Sequence, residues 1–315
     1  MKPAATAAGP ATGRASGKVI LLGEHAVVHG QAAIAGPLDR GLCVTLTRSC
    51  GDPAEDPQLR AALRAAAHDF PTGIAEGLAV RVAGDLPEAV GLGSSAALSV
   101  ALVRALAMAT GTILDAHDLA RRANRVESLF HGRPSGLDVA AAASSAWIRF
   151  RIGEPPEIRP LVCARALELV AIETGATHRT RETVLDVSRR HAEAPADLEP
   201  IFRDIGGLVA AGEWALARGD LPELGRLMTA NHERLAQLGV STPRLDQAVQ
   251  AALEVGALGA KLTGGGGGGL AIALVAADEG EATVAALAAR GWRSHGLTMA
   301  MAAPRTAGPA AEGLA

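Results

Sequence analysis

EAVGLGSSAALSVALVRALAMATG, residues 88–111, sets a glycine-serine turn directly against an unbroken apolar run. Gly91 and Gly93 let the backbone turn tightly and approach a ligand with no Cβ in the way. From Ser95 to Thr110 nearly every residue is Ala, Leu or Val, and Gly111 supplies a stop. This pattern predicts a helix buried on most of its sides. Its start, at Ser94 and Ser95, presents unpaired N–H groups and a partial positive charge, a ready phosphate site. The two hydroxyls can also reach a metal ion carried by that phosphate. A loop that merely caps a core helix is the plainer reading of a lone GxGSS. The run has neither the Lys of a Walker loop nor the spacing of a GxSxG elbow.

Upstream, Lys18–Leu22 (KVILL) reads as a strand between Gly17 and Gly23, followed by strands at 32–35 and 42–47. Little can be placed in residues 49–80 beyond a helix near 58–68. Downstream, Asp115 caps a helix running to about Phe130, with Leu119, Ala123, Val126 and Phe130 as its apolar stripe. After a Pro-rich connection at 154–160 (EPPEIRP) come a strand at 167–173 and helices near 198–218, 221–237 and 243–257. A run of six glycines then leads into a strand, LAIALVAA. Strands and helices mix in both halves, so the expected class is α+β in two domains. They are placed at 14–165 and 166–303, with tails at 1–13 and 304–315.

The composition narrows the function. A chain of 315 residues can bury two cores. With four Phe, three Trp and no Tyr, those cores must be filled by Ala, Val and Leu. Thirty basic residues against 33 acidic ones, with no long basic run, argue against nucleic acid as partner. Three cysteines without CxxC spacing fit a reducing cytosol without structural zinc. The N-terminus makes a poor signal peptide, and no apolar stretch is long enough to span a membrane. The expectation is a cytoplasmic chain, with a homodimer left open.

Three further stretches carry chemistry. In VESLFHGRPSGLDVAAA (126–142), Glu127 follows Val126 of the apolar stripe, where a carboxylate must be paired, hydrated or metal-bound. Asp138 sits in a tight small-residue setting after Pro-Ser-Gly; taken alone it reads better as a helix-capping Asp. In GAKLTGGGGGGLAIALVAA (259–277) the glycines suit either a flexible linker or a loop presenting several N–H groups to one ligand. Their direct attachment to Lys261-Leu262-Thr263 and to an apolar strand favours the loop. In GKVILLGEHAVVHG (17–30), Lys18, Glu24 and His25 gather polar groups around a buried strand and turn.

Taken in order, GKVILLGEHAVVHG, GLGSSAALS, HGRPSGLD and KLTGGGGGG resemble the GHMP kinase superfamily, and within it the mevalonate kinase branch. The similarity extends from about Gly17 to Ala277 and is weakest at 49–80. It implies the two-domain GHMP kinase fold, with an N-terminal part like domain 2 of ribosomal protein S5 and a ferredoxin-like C-terminal part. It implies ATP-dependent phosphorylation of the C5 hydroxyl of mevalonate, with ATP and Mg²⁺ required. By that resemblance, Gly91, Leu92, Gly93, Ser94 and Ser95 bind ATP, and Ser95 and Glu127 hold the metal. Asp138 and Lys18 are catalytic, and Glu24, His25 and Thr180 contact the substrate. The chain departs from the pattern in three places. Ala89 and Val90 replace the usual Gly-Ala entry, Gly265 replaces the usual Ala, and Leu270 the usual Cys. His178, Arg179 and Arg181 keep open a phosphomevalonate or sugar acceptor; a non-catalytic nucleotide-binding relative is the other alternative.

Overall fold

A computed structural model of the chain describes residues 9–48, 56–86, 91–132, 134–175 and 180–299, leaving aside the side chains of Thr180 and Arg181. β1 (Ala11–Leu22) and β2 (Ala32–Arg48) form a long antiparallel pair, joined through a 3-10 turn at Ala26–His29. β1 begins seven residues ahead of the strand expected at Lys18. Gly13 gives the reason, because a Cβ there would lie 2.1 Å from the Ala101 carbonyl oxygen. Small residues at 11, 13 and 15 let the strand lie directly on a helix, and such residues carry no apolar signal. β2 is one strand where the sequence reads two. Pro37, which cannot donate to a ladder, faces Lys18 where the register of β1 shifts, and an irregularity of this kind absorbs the missing donor.

α1 (Pro57–Ala67), β3 (Leu78–Gly84), α2 (Ser94–Thr110), α3 (Ala116–His131) and α4 (Leu137–Ala143) follow. β4 (Ile148–Arg151) and β5 (Glu157–Pro160) complete a five-stranded antiparallel sheet ordered β1-β2-β4-β5, with β3 on β2. The Pro-rich stretch expected to be a connection therefore supplies an edge strand. There Pro160 is tolerated, Ile158 stands opposite Phe150, and Arg149 bonds Glu157 at 2.7 Å. α2 is buried almost all round by Val44, Leu46, Leu63, Ala123 and Val126, as its composition requires. Asp115 caps α3 by accepting from the Asp118 N–H at 2.7 Å.

The rest of the chain runs β6 (Glu168–Glu173), α5 (Thr180–Glu193), α6 (Pro195–Arg218), α7 (Leu221–Gln237), α8 (Pro243–Glu254), β7 (Gly259–Thr263), β8 (Leu270–Val275), α9 (Gly280–Ala289) and β9 (Arg293–Thr298). Its four strands pair antiparallel in the order β7-β8-β6-β9. Numbered along the chain this is 4-1-3-2 read from β9, a ferredoxin-like sheet. The two sheets share a core in which Val19, Leu21 and Ile34 pack with Leu169, Val209, Leu216, Leu227 and Ile272. Each such side chain contributes ~1.5–3 kcal/mol when fully buried. The junction is apolar except where β1 ends, and there the polar residues collect. Among the described residues no helix is long and apolar enough to cross a membrane.

Candidate active site

Lys18 stands near the middle of β1, yet only 4% of its side chain is exposed. The glycine-serine turn wraps it. The Lys18 N–H donates to the Leu92 carbonyl at 2.9 Å, and its Nζ donates to the Gly91 carbonyl at 3.4 Å. Gly93, at φ +80°, lies so close that a Cβ would come within 2.6 Å of Lys18 Cγ. Gly93 therefore accommodates a buried lysine. Gly93 is also the N-cap of α2, and the first intrahelical bond runs from Ala97 N–H to the Gly93 carbonyl. The N–H groups of Ser94, Ser95 and Ala96 are thus the open donors at a positive helix end. Ala89 and Val90 lie outside the described residues.

Asp138 lies in the first turn of α4, past the Gly136 cap, so it is not the capping residue. Its Oδ1 is 3.1 Å from Lys18 Nζ, and 37% of the side chain is exposed. An exposed carboxylate held by a buried ammonium can reach a bound molecule without losing its orientation. Glu127, by contrast, is only 1% exposed. Ser95 Oγ donates to its Oε1 at 2.8 Å, Ser99 Oγ donates to its Oε2 at 3.1 Å, and His131 Nε2 is 3.3 Å from Oε1. Burial pushes this carboxyl above its usual range and nearby Asp138 pushes the same way, while Ser95, His131 and Ser99 offset part of the rise. The sequence reading placed Ser95 and Glu127 together. It missed Ser99 and His131, although His131 is four residues after Glu127 and so shares its helix face.

The third group gathers where β1 ends. Glu24 and His25 are both buried. The Glu24 carboxylate accepts from Lys261 Nζ on one oxygen and from Asn231 Nδ2, at 3.2 Å, on the other. Expected as a substrate contact, it faces β7 and α7 through these two bonds. His25 Nε2 donates to the Gly265 carbonyl at 3.0 Å, so Nδ1 carries the lone pair, and among the described residues no group satisfies it. Desolvation lowers the imidazole to about 4, so His25 is neutral and offers an acceptor. The Gly265 carbonyl also accepts from Thr183 Oγ1 of α5 at 2.8 Å. Thr180 opens α5, but its side chain and that of Arg181, like all of His178 and Arg179, lie outside the described residues.

The six glycines are a packed loop between β7 and β8 and not a linker. Gly267 N–H donates to the Val240 carbonyl at 2.8 Å, and a Cβ on Gly266 would lie 2.2 Å from the Val240 carbonyl oxygen. Among the described residues no set of three or more His, Cys, Asp or Glu converges on a metal site. An ion at Ser95 and Glu127 would therefore complete its shell with phosphate and water, as Mg²⁺ prefers.

Residues 58–146 match the family GHMP kinases N terminal domain, and residues 213–293 match GHMP kinases C terminal. The sequence is 34% identical over 308 residues to the mevalonate kinase of Pyrococcus horikoshii, covering 86% of this chain and 90% of that protein. It is 35% identical over 308 residues to the mevalonate kinase of Aeropyrum pernix, covering 89% and 91%. In three dimensions it resembles the L. major mevalonate kinase crystallised with R-mevalonate. The TM-score is 0.81 at 30% identity, covering 95% of this chain and 98% of that one.

Proposed function

The chain belongs to the mevalonate kinase family of GHMP kinases, and from that premise we propose that it is a cytoplasmic enzyme that moves the γ-phosphate of ATP onto the C5 hydroxyl of mevalonate. The products are 5-phosphomevalonate and ADP, a step toward isoprenoid precursors. The observation that carries the reading is the Lys18–Asp138 pair at 3.1 Å, set against the open N–H groups of α2. Phosphoryl transfer leaves little covalent work to a protein, so position and charge decide the rate.

Asp138 Oδ accepts the proton of the attacking hydroxyl, and Lys18 holds that carboxylate in place. Lys18 also offsets negative charge on the phosphate. The Gly91–Ser95 turn and the start of α2 bind the triphosphate through backbone N–H groups. Ser95 Oγ and Glu127 supply hard oxygen donors that fit Mg²⁺, which when bound neutralises phosphate charge. His25 Nδ1 accepts a hydrogen bond from an acceptor hydroxyl and leaves the substrate carboxylate to other groups. Thr180 and the residues before it are the proposed source of those contacts.

Initial rates of ADP release with mevalonate, phosphomevalonate, galactose and homoserine test the assignment, with the product identified by mass. Mevalonate is expected to give the highest kcat/KM. Phosphomevalonate brings about two further negative charges, and a dedicated site would gather several Arg or Lys around them. In the turn 17–30 the sole Lys or Arg is Lys18, already bonded to Asp138. A higher kcat/KM for any other acceptor overturns the mevalonate reading and leaves the kinase assignment standing.

A further inference from the structure

Lys261 has no place in the mechanism above, yet its side chain is completely buried and carries a charge partner from the turn that follows β1. Alternation along β7 separates two faces. Ala260 and Leu262 point into the core under α8, with Val249 and Ala252. Lys261 and Thr263 point the other way, toward β1 and its turn. There Lys261 Nζ donates to Glu24 and to the Leu262 carbonyl, the latter at 2.5 Å, and Thr263 Oγ1 donates to the Ile20 carbonyl at 3.2 Å. Asn231 of α7 takes the second Glu24 oxygen. Both oxygens of this N-terminal carboxylate are thus held by the C-terminal half of the chain.

The backbone at this turn needs holding. Gly23 lies at φ +103° and His25, a residue with a Cβ, at φ +59°. Residues with side chains rarely adopt the left-handed region and remain there when their surroundings over-determine them. The anchors of the strained residue are its neighbour Glu24 on Lys261 and its own ring on the Gly265 carbonyl, both partners being supplied by the C-terminal half. A charge pair this deeply buried is no efficient source of stability, because apolar replacements of similar volume often do as well. Its specific effect is geometric.

We infer that Lys261 is a positioning residue for the transfer: by gripping Glu24 from β7 it fixes the turn 23–25, sets His25 against the glycine loop, and so shapes the wall of the acceptor pocket. Glu24 then acts through its neighbours and not by touching the substrate. Lys18 lies close enough to act electrostatically on both partners, attracting Glu24 and opposing Lys261. A Glu24 released by Lys261 still attracts Lys18, whose ammonium is the one that holds Asp138.

The inference rests on the proposed acceptor for its kinetic readout, and a second readout is independent of it. In Lys261→Met, the KM for mevalonate should rise at least tenfold while the KM for ATP stays within twofold. Hydrogen exchange of the full-length variant, without any ligand, should quicken at the amides of Val27, which donates to Gly23, and Gly267, which donates to Val240. The double variant Lys261→Met with Glu24→Gln removes both charges, so its Tm should recover toward wild type while the mevalonate KM stays high. That double variant also carries the test should the single one not fold. Recovery of wild-type KM along with Tm, or exchange unchanged at both amides, overturns the inference. If the wild type does not use mevalonate but exchange still quickens, the acceptor assignment fails and the positioning role stands.

Discussion

Replacing Gly93 with Ala separates the two reasons for a glycine at that point. The first is conformational: φ is +80°, and a Cβ in the left-handed region costs about 1–2 kcal/mol. The second is steric: the new Cβ would lie 2.6 Å from Lys18 Cγ and 3.0 Å from Lys18 Cε. Carbon atoms pack at roughly 3.5 Å or more, so the lysine stem must retreat by about 0.9 Å. The ammonium it carries is tied to Asp138 at 3.1 Å and to the Gly91 carbonyl at 3.4 Å, and neither bond survives that shift unchanged. A displacement of ~1 Å at a reacting group can cost about 10²-fold, so kcat should fall by about 10- to 100-fold. The strain alone should lower Tm by roughly 2–8 °C. Gly111→Ala is the control, because Gly111 ends the same helix at φ +66° with nothing within 4 Å of its would-be Cβ. It should show a similar fall in Tm with unchanged kinetics. Steady-state rates and thermal melts of both variants decide the matter. A Gly93→Ala enzyme with kcat within threefold of wild type would refute the claim that Lys18 must sit where the loop holds it.

Asp138→Asn should lower kcat by roughly 10²–10⁴-fold, the usual share of a general base, with ATP still bound in a direct titration; near-normal turnover would make Asp138 structural. Glu127→Gln should raise the Mg²⁺ concentration for half-maximal rate, with partial rescue at high Mg²⁺. Because burial already disfavours the charged carboxyl, Tm should not fall, and a lower Tm with an unchanged metal titration would contradict the assignment. His25 sets a pH dependence: its native value is about 4 against an ordinary ~6.5, so the unfolded chain binds the proton first. The stabilisation is complete above ~6.5 and lost as pH falls toward 4, on the order of 3 kcal/mol in all, and denaturant titrations of wild type and His25→Gln across that window should converge at the acid end. In the second glycine loop, Gly266→Ala should destabilise and impair catalysis, whereas Gly265→Ala should be neutral or stabilising by about 0.4–1 kcal/mol, read from melts of the two variants.

The parts of the site that were legible in the sequence are those announced by local backbone chemistry. Gly-x-Gly before Ser-Ser signals a turn into a helix, Asp115 signals the start of α3, and Pro-Ser-Gly places Asp138 at the start of α4. What could not be read depends on contacts between distant segments. Glu24 and Lys261 are 237 positions apart, and nothing near either one says that they meet. Glu24 therefore read as a pocket residue, and its bonds to β7 and α7 could not be foreseen. The single β2 strand was hidden by Gly36-Pro37, which reads as a break unless one knows that Trp147 needs the space: a Cβ on Gly36 would lie 2.5 Å from its ring. α5 was hidden for a different reason. Its polar composition gives no continuous apolar stripe, and Val187 is its fully buried side chain among those described.

The two glycine loops look alike in composition, but they serve different physical ends, and Gly265 shows where the difference lies. In the second loop Gly264, Gly266, Gly267, Gly268 and Gly269 all have positive φ, so the chain itself demands glycine at those places. Gly265 is absent from that set, and it is the residue at which the sequence departs from the family's usual Ala. Its φ lies outside the left-handed region, and what the site uses there is the carbonyl, which holds His25 and Thr183 together. The departure therefore loosens the unfolded chain without altering the native contact, since glycine's cost is the entropy it loses on folding. In the first loop both requirements fall on one residue: Gly93 has φ +80° and must also leave room for a buried lysine. Composition alone cannot separate a glycine kept for φ, one kept for space, and one kept for neither. The cases are distinguished by the backbone angle and the atoms nearby, which composition does not carry.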